Sequence, residues 1–201
     1  METVLTTPIN ETDARSLHVG DTIYVSGLMF TARDDAHHVL LDAAAKQEAL
    51  PVDPGQMALF HCGPVVEQKN GEWRVVSAGP TTSARMEMFE ADFLDRFNTR
   101  LIIGKGGMGR RTLEALQRVG AVYTHFTGGA GALAARAVRW VPSVHWLEEL
   151  GIPEAVWVLE VERFGPLTVT MDAHGQSVYD VLARTVEENM EAVHARIEEE
   201  E

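Results

Sequence analysis

Cysteine is nearly missing from this chain: Cys62 is the single one in 201 residues. It has no partner for an internal disulfide, and one thiolate falls short of what a cysteine-held zinc or iron–sulfur site built by this chain alone would need. Basic residues are scarce too, with 17 Lys and Arg against 30 Asp and Glu, a formal net charge of -13 and a pI of about 5.0. A chain so acidic is repelled by nucleic acid and by anionic membrane, which speaks against either as a non-specific partner. No apolar run approaches the roughly 20 residues of a membrane span. The start METVLTTPIN has neither a cationic beginning nor an apolar stretch after it, so a cytoplasmic location is expected. Internal repeats, low-complexity tracts and obvious linkers are also missing.

The composition that remains, 45% hydrophobic and 23% charged, is ordinary for one globular domain, and residues 1–201 are expected to form one. Thr22 to Met29 is rich in β-branched and apolar residues, has Gly20 and Gly27 near its ends, and reads as a strand. AHHVLLDAAAKQEAL, Ala36 to Leu50, has no breaker before Pro51 and reads as a helix. GQMALFHCGPVV and GEWRVVSAGP read as strands, each running into a Gly-Pro turn. Met86, Phe89, Phe93, Leu94 and Phe97 recur at helical spacing. LIIG, AVYTHF, EAVWVLEV and PLTVTMDAHG read as further strands, RRTLEALQRVG as a helix closed by Gly120, and TGGAGALAARAV as a glycine loop feeding another. From Val178 the tail reads as helical, and residues 181–201 end in an acidic run. The alternation gives an α/β domain, and the adjacent strands before residue 80 give it a mixed sheet.

Chemistry-bearing residues gather at the junctions. In SAGPTTSARM, hydroxyls and a cation stand between a turn and a helix start. A helix beginning near Thr81 would put Arg85 one turn along the same face, making a hydroxyl-plus-guanidinium pocket for a carboxylate or phosphate at the open N–H groups. Plain N-capping by Ser or Thr explains the same residues. In GKGGMG, Lys105 follows a strand and precedes Gly106 and two more glycines, whose bare backbone allows close approach to a ligand. The spacing is not that of a phosphate-binding P-loop, and a tight turn with an exposed lysine fits as well. The small residues of TGGAGAL read as helix packing. TARDDAHH carries Arg33 among two aspartates and two histidines, but the adjacent histidines lack metal-ligand spacing. His61 and Cys62 read as core or turn residues, since an adjacent pair has no third partner in the sequence.

Seven stretches taken together carry a resemblance: LTTPI, VGDTIYVSGLMFTARDDAH, FHCGPVV, GPTTSARM, GKGGMG, GGAGALAA, and LGIPEAVWVLEV with DAHG. In this order, across roughly residues 4 to 180, they resemble the β subunit of the iron–sulfur-dependent class I fumarase and L(+)-tartrate dehydratase hydro-lyases. The resemblance implies a swivelling β/β/α fold and a cysteine-bearing α subunit that holds a [4Fe-4S] cluster. It implies that the chain is active only with that partner, in reversible hydration of fumarate to (S)-malate. Position by position, it makes Thr81 the proton-abstracting hydroxyl, Arg33, Arg85 and Lys105 the cations that grip the substrate carboxylates, and Thr82 and Gly106 substrate contacts. Asp34 and His37 fall on family positions and are assigned to orienting Arg33 or to the subunit interface. A threonine acts as a base only when ionised, which needs cations beside it, and Arg85 and Lys105 are the candidates. A one-residue shift of the helix start would exchange Thr81 for Thr82. Tartrate dehydration to oxaloacetate fits the same motifs, and a non-catalytic dicarboxylate-binding module is the rival outside catalysis. Apolar or glycine-rich area around the site loops is expected to be covered by the α subunit or by a second copy of this chain.

Overall fold

In the computed structural model, which describes residues 3–200, the strands are β1 (Thr3–Thr6), β2 (Thr22–Thr31), β3 (Ala58–Phe60), β4 (Val65–Lys69), β5 (Glu72–Ser77), β6 (Leu101–Gly104), β7 (Val122–His125), β8 (Val138–His145) and β9 (Val156–Met171). The helices are α1 (Glu11–Arg15), α2 (Asp34–Ala45), α3 (Glu87–Phe97), α4 (Arg110–Val119), α5 (Gly131–Ala137), α6 (Leu147–Leu150) and α7 (Val178–Glu200). Residues 1, 2 and 201 of the expected domain lie outside the described residues. No helix among the described residues is long and apolar enough to cross a membrane.

Seven strands form one mixed sheet in the order β1-β2-β3-β6-β7-β9-β8, and β9 also pairs with β2, so β2, β3, β6, β7 and β9 close on themselves. β1, β2, β3, β6 and β7 run parallel, and β9 runs antiparallel to β2, β7 and β8. Successive side chains alternate between two cores, as strand geometry demands. Ala58, Phe60, Leu101, Ile103 and Val122 point into one, while Leu59, Ile102 and Tyr123 point into the other among Leu40, Phe93, Leu94, Leu113 and Leu116 of α2, α3 and α4. Burial on both faces is why LIIG reads as an unbroken apolar run. The expected α/β domain with a mixed sheet is what forms.

Several local expectations need correction. α2 stops at Ala45 rather than running on toward Pro51, because Gln47 takes a left-handed φ of 58°. The N–H groups of Gln47 and Glu48 then bond back to the carbonyls of Ala44 and Ala43, a Schellman closure made without glycine. β4 and β5 pair as a hairpin through Asn70-Gly71, both at positive φ, as a two-residue type I′ turn requires. The two late strands are one, β9, and an additional strand, β8, occupies VRWVPSVH, where the sequence carries no clear strand signal.

One topological fact positions the site. Because β2, β3, β6 and β7 are parallel, Thr31, Phe60, Gly104 and His125 end at the same edge of the sheet. The segments leaving that edge carry Arg33, His61 and Lys105. Loops beyond the carboxyl ends of parallel strands are where α/β folds, open or closed, commonly bind ligands.

Candidate functional site

Arg33 caps the start of α2, two residues past β2. Its Nε lies 3.1 Å from Glu154 Oε1, with both side chains largely buried, and Glu154 Oε2 accepts the Asp35 N–H at 3.2 Å. Burial pushes the Glu154 carboxyl up, and Arg33 offsets only part of that. The guanidinium passes close over Gly63: a Cβ there would stand 2.8 Å from Arg33 Nη1 and 2.6 Å from the Pro153 carbonyl. The glycine of HCGP is therefore needed to let Arg33 through.

Thr81 to Arg85 does not begin a helix in the expected way. Thr82 heads a 3-10 turn over Ser83–Met86 and makes no side-chain capping bond, while α3 starts at Glu87. Neither the Thr81–Arg85 helical face nor simple capping accounts for the hydroxyls. The Thr81 N–H donates to the His61 carbonyl at 2.7 Å, and Thr82 bridges Lys105 in parallel register. The Ser83 N–H donates to the Lys105 carbonyl at 3.0 Å, and the Lys105 N–H donates to Ser83 Oγ at 3.2 Å. Thr81 is half-buried and Thr82 exposed. Arg85 Nη2 donates to Asp34 Oδ2 at 2.6 Å, so Asp34 orients Arg85 rather than Arg33. The structure thus brings Arg33, Asp34, Thr81, Thr82, Arg85, Lys105 and Gly106 to one sheet edge. The stem of Lys105 lies against Gly128 of the TGG loop. Farther along that loop, a Cβ on Gly131 would meet Ser77 Oγ at 2.3 Å, in keeping with the packing reading.

Of the two roles expected for His37, the structure excludes the subunit interface and leaves the one beside Arg33. His37 is fully buried, so it is not available to a partner chain, and its Nδ1 lies 2.7 Å from the Arg33 carbonyl. His61 is equally buried and does have a third partner: its Nε2 lies 3.0 Å from Glu90 Oε2, with His37 Nε2 3.5 Å from the same oxygen. Burial raises the Glu90 carboxyl, but His61 and His37 together more than reverse this and hold it well below the usual carboxylate range. Burial lowers His61 despite Glu90. His61 Nδ1 lies 2.9 Å from Ser83 Oγ, which lies 2.9 Å from the Tyr123 hydroxyl; Gly106 O accepts from the Tyr179 hydroxyl, with the Tyr123 oxygen 3.1 Å away. Glu90 and Tyr123 lie in no motif of the sequence, and Ser83 and Glu154, although inside GPTTSARM and LGIPEAVWVLEV, are given no role by them. One signal is present: Glu90 stands four residues from both Met86 and Leu94, a carboxylate inside the apolar stripe of α3.

A groove of about 690 Å³ lies between the β4–β5 hairpin and the α5–β8 segment, lined by residues such as Trp73, Arg74, Arg136 and Trp140. None of the candidate residues lines it, and the site is assigned to the sheet edge, where the cations and hydroxyls converge. Cys62 is 1% exposed and burial pushes its thiol up strongly, so it does not suit cluster ligation. The residues present do not fit an iron–sulfur cluster held by this chain.

Cations and hydroxyls thus stand together at the carboxyl edge of the sheet of a mixed α/β domain, and sequence comparison gives its lineage. Residues 1–182 match the family described as Fumarase C-terminus, and the chain belongs to that family. It is 43% identical over 182 residues to a Methanocaldococcus jannaschii protein named "Putative L(+)-tartrate dehydratase subunit beta", covering 90% of this chain and 93% of that one. It is also 43% identical over 178 residues to the L(+)-tartrate dehydratase subunit beta of Escherichia coli K12, covering 89% and 87%. A Geobacillus stearothermophilus protein named "Putative fumarate hydratase class I" is 42% identical over 182 residues, which cover 90% of this chain and 34% of that longer protein. The resemblance carried by the seven motifs is borne out.

Proposed function

We propose that this chain is the β subunit of a two-subunit hydro-lyase acting on a C4 dicarboxylate, with reversible hydration of fumarate to (S)-malate as its reaction. The observation that carries the reading is the convergence of Arg33, Arg85, Lys105 and the Thr81–Thr82 hydroxyls at one edge of the sheet. Fumarate and malate are dianions, and each charge-assisted hydrogen bond contributes roughly 1.5–3 kcal/mol, so three cations suffice to hold both carboxylates despite the acidic chain around them. The hydroxyl of Thr81 takes the proton from the carbon next to a carboxylate, and Thr82 is the alternative base, favoured by its register with Lys105. Either hydroxyl ionises only beside fixed positive charge. The charge that develops on the carboxylate during proton removal is stabilised by the same preorganised arginines and lysine.

Departure of the substrate hydroxyl is left to a cysteine-bearing α subunit, on which the [4Fe-4S] cluster implied by the family would sit. Two exposed apolar side chains flank the site segments, Met88 at the start of α3 and Ile152 beside Pro153, and the partner is expected to cover them. Dehydration of L(+)-tartrate to oxaloacetate is the second reading, favoured by the identity to proteins named as tartrate dehydratase β subunits. The test is an anaerobic assay of the chain with its α partner after cluster reconstitution, following fumarate and L-tartrate separately, with Thr81→Ala and Thr82→Ala alongside. Fumarate turnover lost in one threonine variant supports the reading and assigns the base. Tartrate turnover alone moves the substrate, and no turnover of either by an intact, cluster-loaded complex overturns it.

A further inference from the structure

The buried trio of His37, His61 and Glu90 has no part in the proposed reaction, yet it touches both halves of the site. Its hydrogen-bonding demands allow the protons to be placed. The Arg33 carbonyl can only accept, so the His37 Nδ1 that lies 2.7 Å away carries a proton. Both Nε2 atoms face Glu90 Oε2, at 3.5 Å from His37 and 3.0 Å from His61, in a region with no solvent exposure. A buried carboxylate is tolerated only when it is compensated. A proton on His61 Nε2, the nearer of the two nitrogens, compensates it.

That leaves His61 Nδ1 bare, with Ser83 Oγ at 2.9 Å. The single Ser83 proton is then given to His61, and the two remaining lone pairs receive the Lys105 N–H at 3.2 Å and the Tyr123 hydroxyl at 2.9 Å. Each donor on Ser83 finds an acceptor and each lone pair a donor. The directions of the His61 and Glu90 shifts agree with a neutral imidazole beside an ionised carboxylate.

We propose that Glu90, His61 and His37 are positioning residues, a buried proton-sharing hub that fixes the direction of the Ser83 hydroxyl and thereby locks Lys105 beside Thr82, while His37 holds the Arg33 segment from the other side. Its catalytic part rests on the function proposed above. Without the hub, the segments bearing Arg33, Thr82 and Lys105 are tied by backbone contacts and by the exposed Asp34–Arg85 ion pair, and their spacing relaxes.

Two measurements test this. The first is NMR of the full chain with nitrogen-labelled histidine. His61 is expected as the Nε2–H tautomer with a bare Nδ1 whose resonance moves in Ser83→Ala; a proton on Nδ1, or a resonance indifferent to Ser83→Ala, overturns the arrangement. Stoichiometric metal in the purified chain, lost in Glu90→Gln, overturns it in favour of a His–His–Glu metal site. The second is a kinetic cycle on the assembled, cluster-loaded enzyme. Glu90→Gln and Ser83→Ala are each expected to lower kcat by about 10- to 100-fold, the loss that follows small misplacement of catalytic groups, with KM changing less. The double variant is expected to fall no further than the worse single, because both break one linkage. Losses that multiply, or singles with unchanged kcat, overturn the positioning role. Should Glu90→Gln fail to fold, His61→Gln takes its place in the cycle. If the unaltered complex turns over neither fumarate nor tartrate, the proposed function falls, and the NMR result alone decides the hub.

Discussion

Gly104→Ala and Gly106→Ala make an informative pair, because the two glycines are required for different physical reasons. Gly104 has no left-handed φ, so alanine meets no backbone penalty there. Its Cβ, however, would stand 1.9 Å from Ser83 Oγ and 2.7 Å from the Tyr123 hydroxyl. Ordinary contact begins near 3.4 Å, so Ser83 Oγ would have to retreat by 3.4 − 1.9 = 1.5 Å. That retreat breaks some or all of its contacts with His61, Tyr123 and the Lys105 N–H. Overpacking costs about 1–3 kcal/mol, and each of the one to three buried hydrogen bonds lost adds about 1 kcal/mol, for a total of about 2–6 kcal/mol. Gly106 is the opposite case: φ is 77° and nothing lies within 4 Å of the position a Cβ would take, so alanine costs only the left-handed strain of about 1–2 kcal/mol. In a chain of this length each kcal/mol moves Tm by about 2–4 °C, so Gly104→Ala should melt several degrees below Gly106→Ala by circular dichroism. Adding Ser83→Ala to Gly104→Ala should recover part of the loss, since it removes the oxygen in the way. A Gly104→Ala protein as stable as Gly106→Ala would refute the packing of Ser83 between His61 and Gly104.

Cys62 should resist a disulfide reagent in the native chain and react fully after denaturation, since it is 1% exposed and its thiol is pushed up; native labelling at the denatured rate would contradict its burial. The folded His61 pKa lies below the unfolded value near 6.5, so the stability it contributes is present above that pH and lost as pH falls toward the folded value. Stability from urea unfolding should drop on that limb by up to about 1.4 kcal/mol per pH unit, with Glu90 extending the loss at lower pH, and His61→Gln should flatten the part just below about pH 6.5. Glu154→Gln should loosen Arg33 and raise KM about tenfold, the equivalent of ~1.4 kcal/mol, with a smaller change in kcat; an unchanged KM would remove Arg33 from substrate binding.

The sheet was legible because its strands are buried on both faces, and LIIG, AVYTHF and EAVWVLEV have no alternative but a strand of this kind. The end of α2 was not, since Gln47 supplies a left-handed closure that composition assigns to glycine, and Pro51 then arrives too late to matter. The β4–β5 hairpin carried its signal in Asn70-Gly71. β8 was hidden by a polar, half-exposed sequence whose pairing is decided by β9. In the site, Arg33, Lys105 and the threonines stood out because glycine turns and hydroxyl clusters are local patterns. Glu90 and Glu154 act across 29 and 121 residues, on His61 and Arg33, and no local pattern encodes contacts of that range. What a single sequence can show is the carboxylate misplaced in an apolar stripe, and Glu90 was such a residue.

The two arginines differ in how freely they can serve a substrate, and the difference follows from their clamps. Arg85 and Asp34 are 48% and 35% exposed in their side chains, so their ion pair contributes at most about 1 kcal/mol and is screened by salt. Under the proposed function, a substrate carboxylate offering roughly 1.5–3 kcal/mol would displace Asp34, making Arg85 the mobile grip. Arg33 and Glu154 are 23% and 15% exposed, and Glu154 is further tied to the Asp35 N–H. Parting them would strand a carboxylate that burial already disfavours in its charged form, so under the proposed function Arg33 would keep Glu154 and meet the substrate with its remaining N–H groups. The acidic chain therefore does not abolish its own anion site: one clamp is weak enough to yield, and the other holds its arginine in place.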